Sequence, residues 1–271
     1  MQIPGYTICE KLGTGARSTI YRATDDQTGE TVALKRVVME QAEDARIFEQ
    51  VETELRVSKL IDHLFIRKCY KIIKRRKLFK INEIIMTMEL VNGVSLERSK
   101  SLSLVDILVV FRMVAEGLSA MHSKGFIHCD MKPNNIIINQ TKAEIKIIDL
   151  GQSCKMGTVK TRIQGTPDYI APEQVRKQPL THRTDIFNLG ATFYWALTGK
   201  NVPTLIPVKG ELGTVPKPRS ATPPSQLYRK IPLSLSNLIM ECVEDNPANR
   251  PSSMNDIIAR LDVIIHDIMG Y

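Results

Sequence analysis

Apolar and polar residues alternate along the first part of the chain, and glycines interrupt the alternation. Within residues 6–39 this pattern predicts three short antiparallel strands. Residues 42–61 carry apolar side chains at helical spacing in a mostly polar stretch, which predicts a helix. Two more strands are predicted at 68–73 and 84–90, on either side of a basic run. We therefore expect a small sheet with one main helix over residues 1–90.

Longer helical periods dominate the rest of the chain. A capping box at Ser103-Leu104-Val105-Asp106 begins a stripe of apolar residues at steps of three and four, which ends before Gly125. Residues 184–198 are apolar nearly all round, which predicts a buried helix, and a last helix is predicted near 252–268. Residues 201–232 hold seven of the 14 prolines and are expected to form an irregular surface segment. The pattern as a whole predicts an α+β fold.

Composition narrows the class of protein. The chain has 271 residues, of which 43% are hydrophobic and 24% charged, and this balance is typical of a folded domain with a sizeable core. The five cysteines include no CxxC pair, so neither a zinc site nor a disulfide framework is indicated. No apolar run is long enough to span a membrane and no signal-peptide pattern is present. We expect a soluble, cytoplasmic chain with no membrane segment.

The net charge of +8 favours anionic partners such as nucleotides, acidic substrates, membrane headgroups or nucleic acid. The densest basic run is Lys74-Arg75-Arg76-Lys77, flanked by alternating apolar residues. A solvated hairpin tip is the favoured interpretation of this run, and nucleic-acid binding is the less favoured one.

Two glycines lie between the first two predicted strands, in the sequence LGTGARSTIY at 12–21. Because they lack a Cβ atom, Gly13 and Gly15 would let the backbone approach phosphate oxygens. A plain hairpin turn explains the same pattern. Ser18 occupies the third glycine position of a GxGxxG motif and the loop leads into a strand, so a dinucleotide-binding fingerprint is not favoured.

Lys35 lies on an otherwise apolar predicted strand, in the sequence VALK. A lysine at a buried strand position needs an anion, although a surface lysine that extends its ammonium to solvent is the simpler explanation of one isolated residue. The predicted helix offers an acidic partner. Glu54 is the preferred partner and Glu52 is its rival.

The segment HCDMKPNN at 128–135 is polar and lies between apolar stretches. A metal cluster is not favoured, because His128 and Cys129 are adjacent and no second cluster completes a tetrahedral set. A polar turn and a catalytic loop both fit. Asp149 ends another apolar strand 19 residues after Asp130. Two carboxylates and an asparagine at strand ends suit Mg²⁺, with nucleotide phosphates supplying other ligands.

Taken in order, these motifs resemble the catalytic domain of eukaryotic-like Ser/Thr protein kinases, and the compact chain is similar to bacterial members. Eight motifs span nearly the whole chain: Gly13/Gly15, Lys35, Glu54, HCDMKPNN, DLG at 149–151, GTPDYIAPE at 165–173, DIFNLG at 185–190 and NPANRPS at 246–252. The resemblance implies a bilobal protein-kinase-like fold over residues 1–271. It would have a small antiparallel-sheet lobe at 1–90, a hinge at 91–94 and a larger, mainly helical lobe at 95–271.

The resemblance also implies an activity, the transfer of the γ-phosphoryl group of ATP to Ser or Thr hydroxyls of protein substrates. Asp130 would orient the acceptor hydroxyl and take its proton, and Lys132 would steady the γ-phosphate. Lys132 and Thr166 are both typical of the Ser/Thr branch, and Thr166 would contact Asp130 and Lys132.

The remaining roles concern the nucleotide and its metal. By resemblance, Lys35 would hold the α- and β-phosphates with Glu54 as its partner, and Asn135 and Asp149 would bind Mg²⁺. The other residues assigned to nucleotide binding are Leu12, Gly13, Thr14, Gly15, Ile20, Ala33, Met88, Glu89, Val91 and Ile137, with Met88 as gatekeeper. Three residues would be structural, Glu173 and Arg250 as a buried ion pair and Asp185 as a brace for the catalytic loop.

Some positions depart from the family pattern. Cys129 stands where most relatives carry an arginine that clamps a phosphate on the activation loop, and a thiol has no positive charge. We interpret Cys129 as a small buried spacer, with a redox sensor as the alternative. The chain is then of the non-RD type, and we expect activity without phosphorylation of the activation loop, 152–164. Ser58 replaces an apolar residue one turn after Glu54, and Leu150 replaces a phenylalanine.

Two other classes compete with an active protein kinase. A pseudokinase, or nucleotide-binding scaffold, is opposed by the intact set of Lys35, Asp130, Asn135 and Asp149. A small-molecule kinase is opposed by GTPDYIAPE, which resembles the peptide-docking part of protein kinases.

Overall fold

A computed structural model describes residues 3–15, 17–39, 45–77, 79–99, 102–141, 143–206 and 221–270. The chain forms two compact units. The first consists of Met1–Asn92 with Ile148–Gly151, and the second of Gly93–Ile147 with Gln152–Tyr271. The chain leaves the first unit within the predicted hinge, 91–94. The DLG motif groups with the first unit, although the sequence placed it within 95–271.

Among its described residues, the first unit contains a five-stranded antiparallel sheet and one α-helix, which confirms the predicted α+β pattern. The sheet order is β1-β2-β3-β5-β4. The elements are β1 Tyr6–Thr14, β2 Ser18–Asp25, β3 Thr31–Val38, helix α1 Ala45–Leu60, β4 Cys69–Lys77 and β5 Lys80–Glu89. Residues 42–44 of the predicted helix lie outside the described residues. The β4–β5 ladder continues through the basic run, so β4 continues past residue 73 to Lys77 and β5 begins before residue 84, at Lys80.

The alternation along β3 decides what each of its residues meets. Ala33 and Val37 belong to an apolar cluster that includes Phe48 and Val51 of α1, whereas Leu34 belongs to a cluster on the other face of the sheet. Because side chains alternate along a strand, Lys35 shares its face with Ala33 and Val37. The side chain of Lys35 therefore lies on the face of the sheet that α1 covers.

The second unit is mainly helical. Its helices are α2 Leu104–Ser123, α3 Pro172–Val175, α4 His182–Thr198, α5 Pro224–Leu227, α6 Leu233–Cys242 and α7 Met254–Met269. Its short strands are β6 Val94–Ser95, β7 Phe126–Ile127, β8 Ile136–Asn139, β9 Glu144–Ile147 and β10 Cys154–Lys155. They form a three-stranded sheet, β6-β8-β9, and a two-stranded pair, β7 with β10. Single 3₁₀ turns in the described part of the chain occupy Leu96–Arg98, Pro133–Asn135, Leu150–Gln152, Pro167–Tyr169 and Pro247–Asn249, and Leu150–Gln152 begins in the first unit.

Helix α2 begins at the predicted capping box. The Ser103 hydroxyl accepts from the N–H of Asp106 at 3.1 Å, and the Asp106 carboxylate accepts from the N–H of Ser103 at 2.9 Å. These two bonds satisfy donors that would otherwise lack partners at the start of the helix. Phe111 of α2 stacks on Phe193 of α4, with ring centroids 3.9 Å apart. The two longest helices of this unit therefore share an aromatic core contact.

Helix α4 is buried along most of its length, as its apolar sequence predicts. Gly190 faces α6, and a Cβ atom there would clash with the Cβ of Cys242. Only glycine lets these two helices approach so closely, which explains why a glycine stands inside an otherwise apolar helix.

The proline-rich segment 201–232 is not wholly irregular, because α5 lies within it. Proline fits the first turn of a helix, where the missing N–H would have no helical partner, and Pro224 occupies that turn. Residues 207–220 of this segment lie outside the described residues. Within the described part of the chain, no helix combines the length and the apolar character that crossing a membrane requires.

Candidate active site

Lys35, which is partly buried, forms an ion pair with the buried Glu54 in the first unit. The Lys35 Nζ atom lies 2.7 Å from a carboxylate oxygen of Glu54 and 3.6 Å from one of Asp149. Glu52, the rival partner, pairs instead with Lys74. The structure therefore decides the alternative in favour of Glu54.

The charge state of Lys35 follows from its neighbours. Burial by itself acts to lower the pKa of Lys35, but the carboxylates of Glu54 and Asp149 more than offset burial and raise it above its usual range. Lys35 is therefore a fixed cation at any physiological pH. An ammonium held in this way suits an anionic ligand such as a phosphate group.

Arg67 is a second cation on the same carboxylate, and the sequence analysis missed it. One guanidinium nitrogen of Arg67 lies 2.6 Å from Glu54, whose side chain is only 1% exposed. Glu54 therefore serves two cations, one through each of its oxygens. Arg67 belongs to no recognised motif, and its contact with Glu54 depends on the path of the chain from α1 to β4.

Ser58, which replaces an apolar residue of the family pattern, is buried and makes two hydrogen bonds in the structure. Its hydroxyl donates to the carbonyl of Arg67 at 3.0 Å and accepts from the N–H of Cys69 at 2.8 Å. These bonds join α1 to the start of β4. The serine therefore fixes the segment that carries Arg67 to the helix that carries Glu54.

Asp149 has a left-handed backbone, with φ of +62°. Asp and Asn tolerate this region better than most residues do. The neighbouring Gly151 lies against α1, where a Cβ atom would come within 3.1 Å of the Cβ of Gln50. This tight approach places the Asp149 carboxylate beside Lys35.

The glycine turn joins β1 to β2. The N–H of Gly15 donates to the carbonyl of Ser18 at 2.7 Å and closes the turn. Gly13 pairs with Ile20 across the ladder, and a Cβ atom at Gly13 would meet nothing within 4 Å. The space at Gly13 is open, so its glycine is not required by packing within the described residues.

The residues assigned to adenine binding are distributed over both units. Ala33 and Met88 are buried cross-strand partners, and Ile20 packs against the same cluster. The N–H of Glu89 donates to the carbonyl of Lys68 at 2.8 Å. Leu12 is exposed, Thr14 ends β1 and Val91 follows β5, whereas Ile137 lies on β8 of the second unit.

Asp130, Lys132 and Thr166 form a hydrogen-bonded triangle in the second unit. The Thr166 hydroxyl donates to Asp130 at 2.8 Å and accepts from the Lys132 ammonium at 2.7 Å. The same ammonium lies 3.0 Å from the other Asp130 oxygen. The predicted contact of Thr166 with both residues is present. A carboxylate, an ammonium and a hydroxyl are thus held at one point.

Asn135 lies one turn beyond this triangle. Its side-chain N–H donates to the carbonyl of Asp130 at 2.8 Å, which fixes the orientation of the amide. The amide oxygen points away from that bond by geometry and is the type of ligand that Mg²⁺ accepts. This hydrogen bond therefore links the position of Asp130 to that of Asn135, which is a candidate metal ligand.

Asp185 braces the catalytic loop, as the resemblance implies. Its two carboxylate oxygens accept from the N–H groups of His128 and Cys129, each at 2.8 Å. His122 lies 2.8 Å from the same carboxylate. Burial acts to raise the pKa of Asp185, but the hydrogen bond and charge of His122 and the His128 N–H outweigh it and lower the pKa. Asp185 is therefore an ionised buried anchor.

Cys129 itself has a left-handed backbone, with φ of +65°. Its carbonyl accepts from the side chain of Gln174 at 2.8 Å, and its side chain is 1% exposed. The prediction that Cys129 is a small buried residue is confirmed. The sequence analysis missed both Gln174 and His122, because neither belongs to a motif with an assigned role.

Among the described residues, no group of three or more His, Cys, Asp and Glu side chains is arranged to hold a metal ion.

The predicted buried pair of Glu173 and Arg250 is present, with two hydrogen bonds of 2.8 and 2.9 Å between the two side chains.

Comparisons with known proteins agree with the motif order. A family model described as the protein kinase domain matches residues 6–260. The chain is 28% identical over 264 residues to a probable serine/threonine-protein kinase of Clostridium acetobutylicum. The aligned region covers 94% of this chain and 39% of that protein.

Two further relatives have similar names. The chain is 29% identical over 254 residues to serine/threonine-protein kinase PknA of Mycobacterium tuberculosis, covering 90% of this chain and 58% of PknA. It is 29% identical over 276 residues to serine/threonine-protein kinase PkaA of Streptomyces coelicolor, covering 92% and 48%. The chain thus spans less than two thirds of the length of each of these relatives.

Proposed function

This chain belongs to the protein kinase domain family, and we propose that it transfers the γ-phosphoryl group of ATP to Ser and Thr hydroxyls of protein substrates. The observation that carries the proposal is the triangle of Asp130, Lys132 and Thr166. Phosphoryl transfer needs little covalent help from a protein. It needs positioned groups that neutralise charge and orient the nucleophile, and this triangle supplies both.

At the acceptor end, Asp130 acts on the substrate hydroxyl. One of its oxygens is held by Thr166 and the other lies beside Lys132, so the carboxylate has a fixed orientation. It accepts a hydrogen bond from the incoming hydroxyl and takes its proton as the new P–O bond forms. Lys132 neutralises charge that develops on the transferred phosphoryl group.

At the nucleotide end, Lys35 binds the α- and β-phosphates as a cation fixed by Glu54. The backbone of the turn at Gly13 and Gly15 approaches the phosphates. Adenine contacts come from the backbone of Glu89 and Val91 and from apolar walls formed by Leu12, Ile20, Ala33 and Ile137. Met88 is the gatekeeper, and Thr14 lies at the edge of the glycine turn.

The donor chemistry of Asn135 and Asp149 fits Mg²⁺, since an amide oxygen and a carboxylate are the hard ligands that this ion prefers. When bound, the ion supplies positive charge to the phosphates. Asn135 keeps its amide oriented through its bond to the Asp130 carbonyl, and Asp149 keeps its carboxylate close to Lys35.

The proposal extends to residues 1–271 as one kinase domain of the non-RD type, acting in the cytoplasm. Its substrates are proteins with Ser or Thr acceptors. The named serine/threonine-protein kinases among the relatives support this acceptor class.

The test compares the wild-type chain with Asp130→Asn in labelled phosphate transfer from ATP to Ser and Thr peptides. Because the amide cannot accept the proton, we expect the rate to fall by about 10²–10⁴-fold. Asp267→Asn is the matched control, since Asp267 is an exposed residue of α7 with the same chemistry. Equal signal from wild type and Asp130→Asn would assign the activity to a contaminant. Nucleotide binding without transfer by the wild type would favour the pseudokinase.

A further inference from the structure

Two cysteines that lie 25 residues apart in the sequence are in contact in the second unit. The Sγ atoms of Cys129 and Cys154 are 3.5 Å apart. Cys129 is buried in the catalytic loop, whereas Cys154 is partly exposed and lies just inside the activation loop, 152–164. The proposed phosphoryl transfer uses neither thiol.

The backbone holds this pair in place. Strand β10 pairs with β7, so that Cys154 lies opposite Ile127, two residues before Cys129. The N–H of Met156 donates to the carbonyl of Gly125 at 2.9 Å and extends the pairing. Ile127, Cys129 and Leu180 form an apolar cluster against which Cys154 packs. The contact between the sulfurs is therefore a product of the fold and does not depend on two flexible side chains.

The two thiols differ in their chemistry. Hydrogen bonding from Cys129 lowers the pKa of Cys154 to about 7, and Lys160 and Thr158 act in the same direction against the effect of burial. The pKa of Cys129 is raised well above its usual range, first by its bond to Cys154 and then by burial. Cys154 therefore ionises more readily than Cys129, and the thiolate of Cys154 would have a protonated thiol in contact with it.

We propose that Cys129 and Cys154 are a peroxide-sensitive pair that forms a reversible disulfide. The Cys154 thiolate attacks one oxygen of hydrogen peroxide, and the O–O bond breaks. Hydroxide is the leaving group, and Cys154 becomes a sulfenic acid. The Cys129 sulfur then attacks the Cys154 sulfur and displaces the hydroxyl, which leaves as water with the Cys129 proton. Each sulfur loses one electron. The peroxide is reduced to one molecule of water and one hydroxide, and the hydroxide takes a proton from solvent to become the second water.

The disulfide would change the catalytic loop. The sulfurs must approach from 3.5 Å to the bonded distance of about 2.05 Å. Cys129 precedes Asp130, and its backbone is fixed by Asp185 on one side and Gln174 on the other. A displacement of about 1 Å in catalytic geometry can cost about 10²-fold in rate. Oxidation therefore lowers the activity. This consequence rests on the proposed function, whereas formation of the disulfide does not depend on it.

The other three cysteines are internal controls. Cys9 is exposed and its Sγ lies 3.6 Å from the Thr24 hydroxyl. Cys69 and Cys242 are buried, and burial raises their pKa values to about 11 and about 12. Peroxide should therefore oxidise Cys9 because it is exposed and Cys154 because its thiol ionises readily. Cys69 and Cys242 should stay reduced.

The test treats the reduced full chain with graded hydrogen peroxide, followed by non-reducing peptide mapping and by phosphate-transfer assays before and after dithiothreitol. We expect a Cys129–Cys154 disulfide, a fall in rate of at least about tenfold, and recovery on reduction. Cys154→Ser should keep the basal rate and resist peroxide. The matched variant Cys9→Ser should form the disulfide and lose activity as the wild type does.

Several outcomes would overturn the proposal. One is oxidation of Cys9 at peroxide doses that leave Cys129 and Cys154 unlinked, and another is sulfinic acid on Cys154 in place of the disulfide. A complete disulfide with an unchanged rate would overturn the regulatory role. A chain without basal transfer would instead contradict the proposed function, and the peptide map would still decide whether the disulfide forms.

Discussion

The ion pair of Glu173 and Arg250 shows how a buried charge depends on its counterion. Arg250 is wholly inaccessible and donates two bonds to Glu173. It also donates to the carbonyl of Glu244 at 2.8 Å and lies over the ring of Phe187, 4.9 Å from its centroid. A buried guanidinium that loses its carboxylate cannot recover its hydration. Removing the carboxylate alone therefore costs more stability than replacing both members of the pair with apolar residues.

Glu173→Gln should lower the free energy of unfolding by about 3–5 kcal/mol, because it leaves the Arg250 charge buried without its counterion. The matched control is Glu241→Gln, which breaks a half-exposed pair with Arg260 and should cost only about 0–1 kcal/mol. Denaturant unfolding followed by circular dichroism measures both. Similar small losses in the two variants would show that the buried pair is not a stabilising element.

At the scale of elements, the activation loop is held by main-chain bonds near both β7 and α4. Strand β10 pairs with β7, the N–H of Gly157 donates to the carbonyl of Leu180 at 2.8 Å, and the N–H of Leu180 donates to the carbonyl of Thr158 at 3.0 Å. These bonds order the start of the segment without a phosphate. Cys129 also carries no charge with which to clamp one.

We therefore expect phosphatase treatment of the purified chain to leave most of its transfer activity. The Thr158 hydroxyl already donates to the carbonyl of Lys155 at 2.7 Å, so it is engaged without modification. Mass spectrometry should confirm that Thr158 and Thr161 are unmodified after treatment, and a Thr158→Ala variant provides the control for that site. Loss of most of the activity on dephosphorylation would refute the non-RD hypothesis.

At the scale of the whole molecule, the chain carries a net charge of +8. Such a charge attracts anionic partners at a distance and speeds their encounter, and dissolved salt screens this attraction. Net charge has no bearing on which hydroxyl reacts. It should act on how fast a charged substrate arrives.

At saturating ATP, kcat/KM for an acidic Ser/Thr peptide should fall as ionic strength rises from about 0.1 to about 1 M, where the screening length shortens from about 10 to about 3 Å. A neutral peptide with the same acceptor residue is the control and should change much less. Steady-state kinetics at several salt concentrations measures the difference. Identical salt dependence of the two peptides would show that overall charge does not steer substrates.

Local pattern was sufficient for most elements and for much of the candidate site. Alternation on β3 placed Lys35 on the same face as Ala33 and Val37, because successive side chains of a strand point to opposite faces. The capping box at Ser103 marked the start of α2. The resemblance to protein kinases implied that Asp130, Lys132 and Thr166 lie together before any coordinates. The assigned roles of these residues in the reaction stay predictions until the variants are measured.

Contacts between distant segments needed the tertiary structure. Glu52 and Glu54 lie two positions apart on one helix, so they face nearly opposite sides, and sequence spacing does not say which side meets β3. The structure turns Glu54 toward Lys35 and Arg67 and leaves Glu52 to Lys74. The packing of α1 on the sheet decides this orientation, since apolar burial sets the rotation of the helix about its axis.

The sequence by itself determined the periodic elements, the family and the order of the chemical groups, because these depend on neighbours within a few residues or on motifs of fixed spacing. Only the tertiary structure decided that Arg67 shares Glu54 and that Cys129 touches Cys154. Both contacts arise where strands and helices from different parts of the chain pack together. Their free energy comes from burial and charge in the folded state, which no local pattern encodes.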